Sequence, residues 1–124
     1  MAVYHKEKLL PAGEYEVEVM HANLSRSVTG QNEMLVVVLH VPNEEGRWSF
    51  VRDYLVFSEK SYWKFDTFLK AVGLDLEDGE EIDPDDFVGL VARAQVGTRD
   101  FGNREQNCVE RWLPKMEDAP ATGN

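Results

Sequence analysis

A mainly β domain with five short strands and one helix is what this sequence predicts. Three observations predict it. Four segments alternate or run apolar with β-branched residues. One segment of sixteen residues carries apolar side chains at helical spacing. Gly, Pro and Asn clusters separate the segments.

The first strand is EYEVEVM, residues 14–20. Tyr15, Val17 and Val19 alternate with Glu14, Glu16 and Glu18, which gives one wet face. Pro11 and Gly13 punctuate its start. SRSVTGQNE, 25–33, is polar and reads as a loop. EMLVVVLHV, 33–41, is β-branched and continuously apolar, which predicts a strand buried on both faces. PNEEGR, 42–47, is a turn. WSFVRDYLVF, 48–57, is the third strand, with Trp48, Phe50, Arg52 and Tyr54 on one face and Val51, Leu55 and Phe57 on the other. Alternation alone does not say which face is inside.

The period then changes. SEKSYWKFDTFLKAVG, 58–73, spaces Tyr62, Phe65, Leu69 and Val72 as a helix does, with Phe68 beside them. Ser58 is a candidate N-cap and Gly73 a candidate stop. Asp83-Pro84 resembles a cap followed by proline at the first helical position, giving one turn through Phe87. GLVARAQV, 89–96, is the fourth strand and NCVERWLP, 107–114, the fifth. VGTRDFGNREQN, 96–107, reads as an exposed loop between them. Residues 115–124 read as a flexible tail to a single domain over 1–114. Strand, strand, strand, helix, strand, strand is the order of a five-stranded OB-fold-like barrel, with the helix between strands 3 and 4.

The net charge is -10, but residues 74–92 hold eight acids and no base. Removing that segment leaves -2 on the rest of the chain, so the acidic total does not exclude an anionic ligand elsewhere. Cys108 is the only cysteine, so no internal disulfide forms, which fits a reducing compartment. No apolar run approaches the ~20 residues of a membrane helix. MAVYHKEKLLPAG lacks the apolar core of a signal peptide. A cytoplasmic protein without membrane contact is expected.

Several phrases, in order, carry a resemblance: LLPAGEYEVEV, SRSVTGQNEMLVVVLHV, WKFDTFLKAVGL and IDPDDFVGLVARAQV, spanning residues 9–96. They resemble a phage protein family catalogued as a domain of unknown function and encoded among replication and recombination genes. The resemblance implies an OB-fold and single-stranded DNA binding. It supplies no residue-level motif.

The candidate site follows from the residues themselves. A single strand is held by stacking bases on aromatic rings and by pairing phosphates with Lys and Arg. In an OB-fold the ligand crosses strands 2 and 3, flanked by the 1–2 and 4–5 loops. That topology selects Arg26 on the first loop, Arg47 in the turn before strand 3, Trp48, Phe50 and Arg52 on strand 3, and Arg99, Phe101 and Arg104 on the 4–5 loop. Trp48 and Phe50 serve equally well as core residues. Phe101 is the stronger candidate, because RDFGNRE gives it no apolar neighbours.

DLEDGEEIDPDD does not fit a calcium loop: alignment on Gly79 puts Leu74 and Leu76 where the first two ligands belong. It reads as a solvated connection, or as a docking site for a basic partner. His5, His21 and His40 lie in separate segments, and no nucleophile, phosphate-loop or zinc pattern is present. No enzyme activity, cofactor or metal is expected. The expected partners are single-stranded DNA and a recombinase or replication protein. A protein-docking module is the alternative function, followed by an acidic DNA mimic. A homodimer through an edge strand is compatible with the chain, though no feature demands it.

Overall fold

The computed structural model describes residues 2, 9–26, 30–42 and 48–115, with Trp48 and Phe101 described in their backbone alone. The predicted tail beyond Lys115 lies outside the described residues.

Five antiparallel strands form one sheet: β1 (Gly13–Arg26), β2 (Glu33–Pro42), β3 (Trp48–Val56), β4 (Val91–Phe101) and β5 (Arg104–Leu113). Their spatial order is β3-β2-β1-β4-β5. Helix α1 (Tyr62–Val72) and a short 3-10 helix (Pro84–Phe87) lie between β3 and β4 in the chain. Mainly β with one helix between strands 3 and 4 is therefore correct.

β1 is longer than the sequence suggests, and the reason is a bulge. Its first half, Gly13 to Glu18, pairs with β4. Its second half, Glu18 to Arg26, pairs with β2, and the register skips Met20 between Val19 and His21. One extra residue switches which parity faces inward. Val17 and Val19 are buried before the bulge and Ala22 after it. The outward residues of the second half are then His21, Asn23 and Ser25, so the segment looks like loop. β1 is shared between two halves of the sheet, with the bulge just past the switch from β4 to β2.

The core is built from the inner faces. Leu35, Val37, Leu39 and Val41 of β2, Val51 and Leu55 of β3, and Ala92 and Ala94 of β4 are all buried. α1 covers them with Phe65, Phe68, Ala71 and Val72. Phe68 meets Trp112 edge-on at 4.8 Å and Phe87 at 5.4 Å. Burying each such ring is worth about 2–3 kcal/mol.

The prediction that β2 is buried on both faces is corrected. Its inner residues are fully buried, whereas on the outer side Met34, Val36 and Val38 are half-buried and only His40 is buried. No layer covers them among the described residues. The run is apolar for a reason that burial on two faces does not supply.

α1 begins at Tyr62 rather than at Ser58. The Ser58 carbonyl instead accepts from the amides of Ser61 and Tyr62, forming a turn that leads into the helix. Gly73 ends it as predicted, in the left-handed region at φ 77, with its amide returning to the Leu69 carbonyl. Asp83 caps the 3-10 helix by accepting from the Asp85 amide at 3.0 Å.

The sheet is not closed by a backbone ladder among the described residues: β3 and β5 remain its two edges. A side-chain bond spans them instead. Trp112 Nε1 donates to Asp53 Oδ2 at 2.8 Å. Lys64 of α1 donates to Asp53 Oδ1 at 2.7 Å and the Tyr54 amide donates to the same oxygen at 3.0 Å. Three donors make this buried carboxylate stable where an unpaired one would not be. No helix of the described residues is long and apolar enough to cross a membrane.

Candidate nucleic-acid interface

β3 resolves the question of faces. Ser49, Val51, Asp53 and Leu55 point inward, and Phe50, Arg52 and Tyr54 point outward. Phe50 is 52% exposed and Tyr54 46%. Alternate residues on a strand stand about 6.8 Å apart. The outer face of β3 is thus a ladder of ring, guanidinium and ring. Trp48 pairs with Pro42 at the start of the strand, but its side chain lies outside the described residues, as does all of Arg47.

The neighbouring strands widen the ladder into a platform. Register places Val36 beside Tyr54, Val38 beside Arg52 and His40 beside Phe50. On the other side of β2, Asn23 pairs with Val36 and His21 with Val38. The face therefore has three columns: aromatic and cationic on β3, apolar on β2, hydrogen-bonding on β1. The half-exposed valines of β2 form its floor. The candidate residues missed the floor, the β1 column and Tyr54, although Tyr54 shares the alternation of Phe50 and Arg52. For Val36 and Val38 the only sequence signal, an apolar run, pointed toward burial.

The predicted 4–5 loop is corrected to a hairpin. β4 continues to Phe101 and β5 starts at Arg104, leaving a two-residue turn of Gly102 and Asn103. Gly102 has φ 67, which suits the first central position of a tight hairpin turn. The polar residues had suggested a loop, but this arm projects past the start of β1, where both faces meet water and need no apolar side chains. Asn107 fixes its base. Its amide accepts from Leu10 N at 2.9 Å and donates to the carbonyls of Leu10 and Gly97, both at 3.1 Å.

Register sorts the arm's charges. Arg99 pairs with Gln106 and Phe101 with Arg104, so the two arginines share one face; Asp100 and Glu105 pair on the other. All four are exposed. The Phe101 side chain lies outside the described residues.

Not every candidate comes together. β1 starts near the arm, with Gly13 beside Val96, and ends at Arg26, beside Glu33. Glu18, His40 and Phe50 lie in one row near the arm's end of the sheet. Arg26 and the arginine arm therefore sit at opposite ends, with the β3 ladder running between them. Arg26 also donates to the Gly30 carbonyl at 3.3 Å, closing its own loop.

Carboxylates bound this surface. Glu16 and Glu18 flank a shallow hollow shared with His40, Pro42 and Val91. Glu14 is paired with Arg93 at 3.0 Å. This side of β1 repels phosphate, so a polyanion is favoured on the β3 side. Among the described residues no group of three or more His, Cys, Asp or Glu is placed to hold a metal ion.

A family model described as "Protein of unknown function (DUF669)" matches residues 2–121. The chain belongs to this family. The DUF669 match spans nearly the whole chain, so it includes the sheet, the helix and the arm. No curated protein matches the chain. The DUF669 description assigns no activity.

One further exposed feature stands apart. Trp63 on α1 is 66% exposed, beside Tyr62 at 48%. Tyr62 stacks on Phe57 at 6.2 Å, but Trp63 turns away from the core residues Phe65 and Phe68.

Proposed function

We propose that this DUF669 protein binds single-stranded DNA and serves phage DNA replication or recombination in the host cytoplasm. The observation that carries the reading is the outer face of β3. Phe50 and Tyr54 stand in solvent on either side of Arg52, over an open apolar floor of Val36 and Val38. Exposed rings interleaved with a cation suit base stacking and phosphate contact together, with stacking worth ~1–3 kcal/mol per base. Arg99 and Arg104 extend the positive surface at one end; Arg26, at the other end, has the parity of Ala22 and Leu24 and so belongs to the opposite face.

The fold is read here as an OB-like barrel. Supporting that are the strand order, the bulged β1 shared by β2 and β4, and the approach of the two edges through Asp53 and Trp112. The phage setting is supported by the resemblance of the four sequence phrases.

A fluorescence titration with labelled oligo-dT at several salt concentrations tests the reading. Binding weakens as salt rises, with a log–log slope of ~0.7 per neutralised phosphate. No detectable binding at low salt overturns it.

A second reading, docking on a replication or recombination protein, is favoured by Trp63. An indole left 66% exposed on a helix is a typical anchor at a protein interface.

A further inference from the structure

We propose that the platform reads a base as well as holding a strand, with Asn23 as the reader and adenine as the preferred base. This rests on the single-strand reading above and goes beyond non-specific stacking.

Three strands supply one row of the platform: Asn23 on β1, Val36 on β2 and Tyr54 on β3. Neighbouring strands are about 4.8 Å apart, so Asn23 and Tyr54 face each other across about 10 Å. Between them lies only the half-buried Val36. A base seated over Val36, with one side against the Tyr54 ring, turns its far edge toward the Asn23 carboxamide. The gap suits one base plus one hydrogen-bonded contact.

The bulge at Met20 creates this arrangement. Without it, the parity set by Val17 and Val19 would put Asn23 inside and Ala22 outside. With it, Asn23 is exposed on the same face as Tyr54. His21 and Ser25 lie before and after it in the same column, in rows with Val38 and Met34. The column next to the floor is therefore polar throughout, whereas the column on the far side of the floor carries the rings.

The chemistry selects the base. A carboxamide offers a donor and an acceptor side by side. Adenine presents an adjacent donor and acceptor on both of its edges, N6–H with N7 and N6–H with N1, so it is read in either orientation. Cytosine and thymine do so on one edge only, and the N7/O6 edge of guanine has two acceptors. Adenine's larger ring also covers more of Val36 and Tyr54.

The experiment uses the full chain and labelled oligo-dT, with and without a central run of adenines, at one low salt concentration. Wild type is expected to bind the adenine-containing oligo roughly fivefold more tightly, the lower end for one bidentate base contact. Asn23→Ala is expected to remove that ratio, because it weakens the adenine-containing oligo more than oligo-dT. Tyr54→Ala weakens both oligos. Asn23 is exposed, and unchanged circular dichroism of the variant shows that the sheet is intact. A wild-type ratio of one, or a ratio that survives in Asn23→Ala, overturns base reading while the single-strand reading stands. Failure of wild type to bind either oligo overturns both.

Discussion

The indole of Trp112 on β5 donates a 2.8 Å hydrogen bond to the carboxylate of Asp53 on β3, joining the two edge strands of the sheet. Both residues are buried, and Lys64 brings α1 to the same carboxylate. The bond holds the inner face of β3 down, which leaves Phe50, Arg52 and Tyr54 on the outside. A structural contact on one face of the strand thus sets which side chains are exposed on the other.

Trp112→Phe is expected to lower stability by ~1–3 kcal/mol, because Asp53 Oδ2 loses its donor while most of the ring volume remains. The measurement is a urea titration followed by circular dichroism. Phe68→Ala removes the ring that packs on Trp112 and costs more, ~3–5 kcal/mol. If Trp112→Phe shifts the midpoint by nothing, the bond does not hold the edges together.

The β3 ladder makes separate demands on its rings and its cation. Phe50→Ala and Tyr54→Ala are each expected to weaken oligo-dT binding by ~1–3 kcal/mol with the salt slope unchanged. Arg52→Ala is expected to lower the slope by ~0.7, since it removes one phosphate contact. Titrations at four salt concentrations separate the two effects. Equal slopes in all three variants would deny Arg52 a phosphate.

The sequence made the inner faces legible where period two runs unbroken, as at Val17 and Val19 or Val51 and Leu55. It made α1 legible through Phe65, Phe68 and Val72, and its end through Gly73. It hid the second half of β1, because a single extra residue at Met20 reverses the parity and, of the inner-side Ala22 and Leu24, only Ala22 is buried. It hid the arm because strands that project past the core carry no apolar face. On the outer face of β3, alternation makes the shared side of Phe50 and Arg52 legible. Asn23, Val36 and Val38 are not legible beside them, since their neighbourhood exists only through cross-strand register, which no local pattern encodes.

The hairpin arm separates its charges by face, and substitutions on the two faces should act in opposite directions. Arg99→Ala and Arg104→Ala are expected to weaken oligo binding, each by the loss of one phosphate contact and a slope change of ~0.7. Phe101→Ala weakens it through lost stacking. Asp100→Ala and Glu105→Ala are expected to leave binding unchanged or strengthen it, because they remove carboxylates near the phosphate path. All five positions are far from the core, so thermal midpoints stay close to wild type. Uniform weakening from both faces would mean that the arm matters for its shape and not its arginines.

Trp63 distinguishes the two functional readings. It is 66% exposed and outside the platform, so Trp63→Ala is expected to change stability by less than ~0.5 kcal/mol. Under the single-strand reading alone, the variant binds oligo-dT as wild type does. Under the docking reading, oligo binding is again unchanged, but binding to a purified replication or recombination protein falls by ~2 kcal/mol or more, as for an interface anchor. Acrylamide quenching supplies an independent measurement. An exposed indole is quenched readily and a buried one such as Trp112 is not. Comparing wild type with Trp63→Ala isolates the Trp63 signal. Protection of that signal on adding the partner, with none on adding oligo-dT, assigns the α1 face to protein and the β3 face to nucleic acid. Protection by oligo-dT would instead extend the strand's path over the helix, and Trp63→Ala would then weaken oligo binding by the ~1–3 kcal/mol of a lost stack.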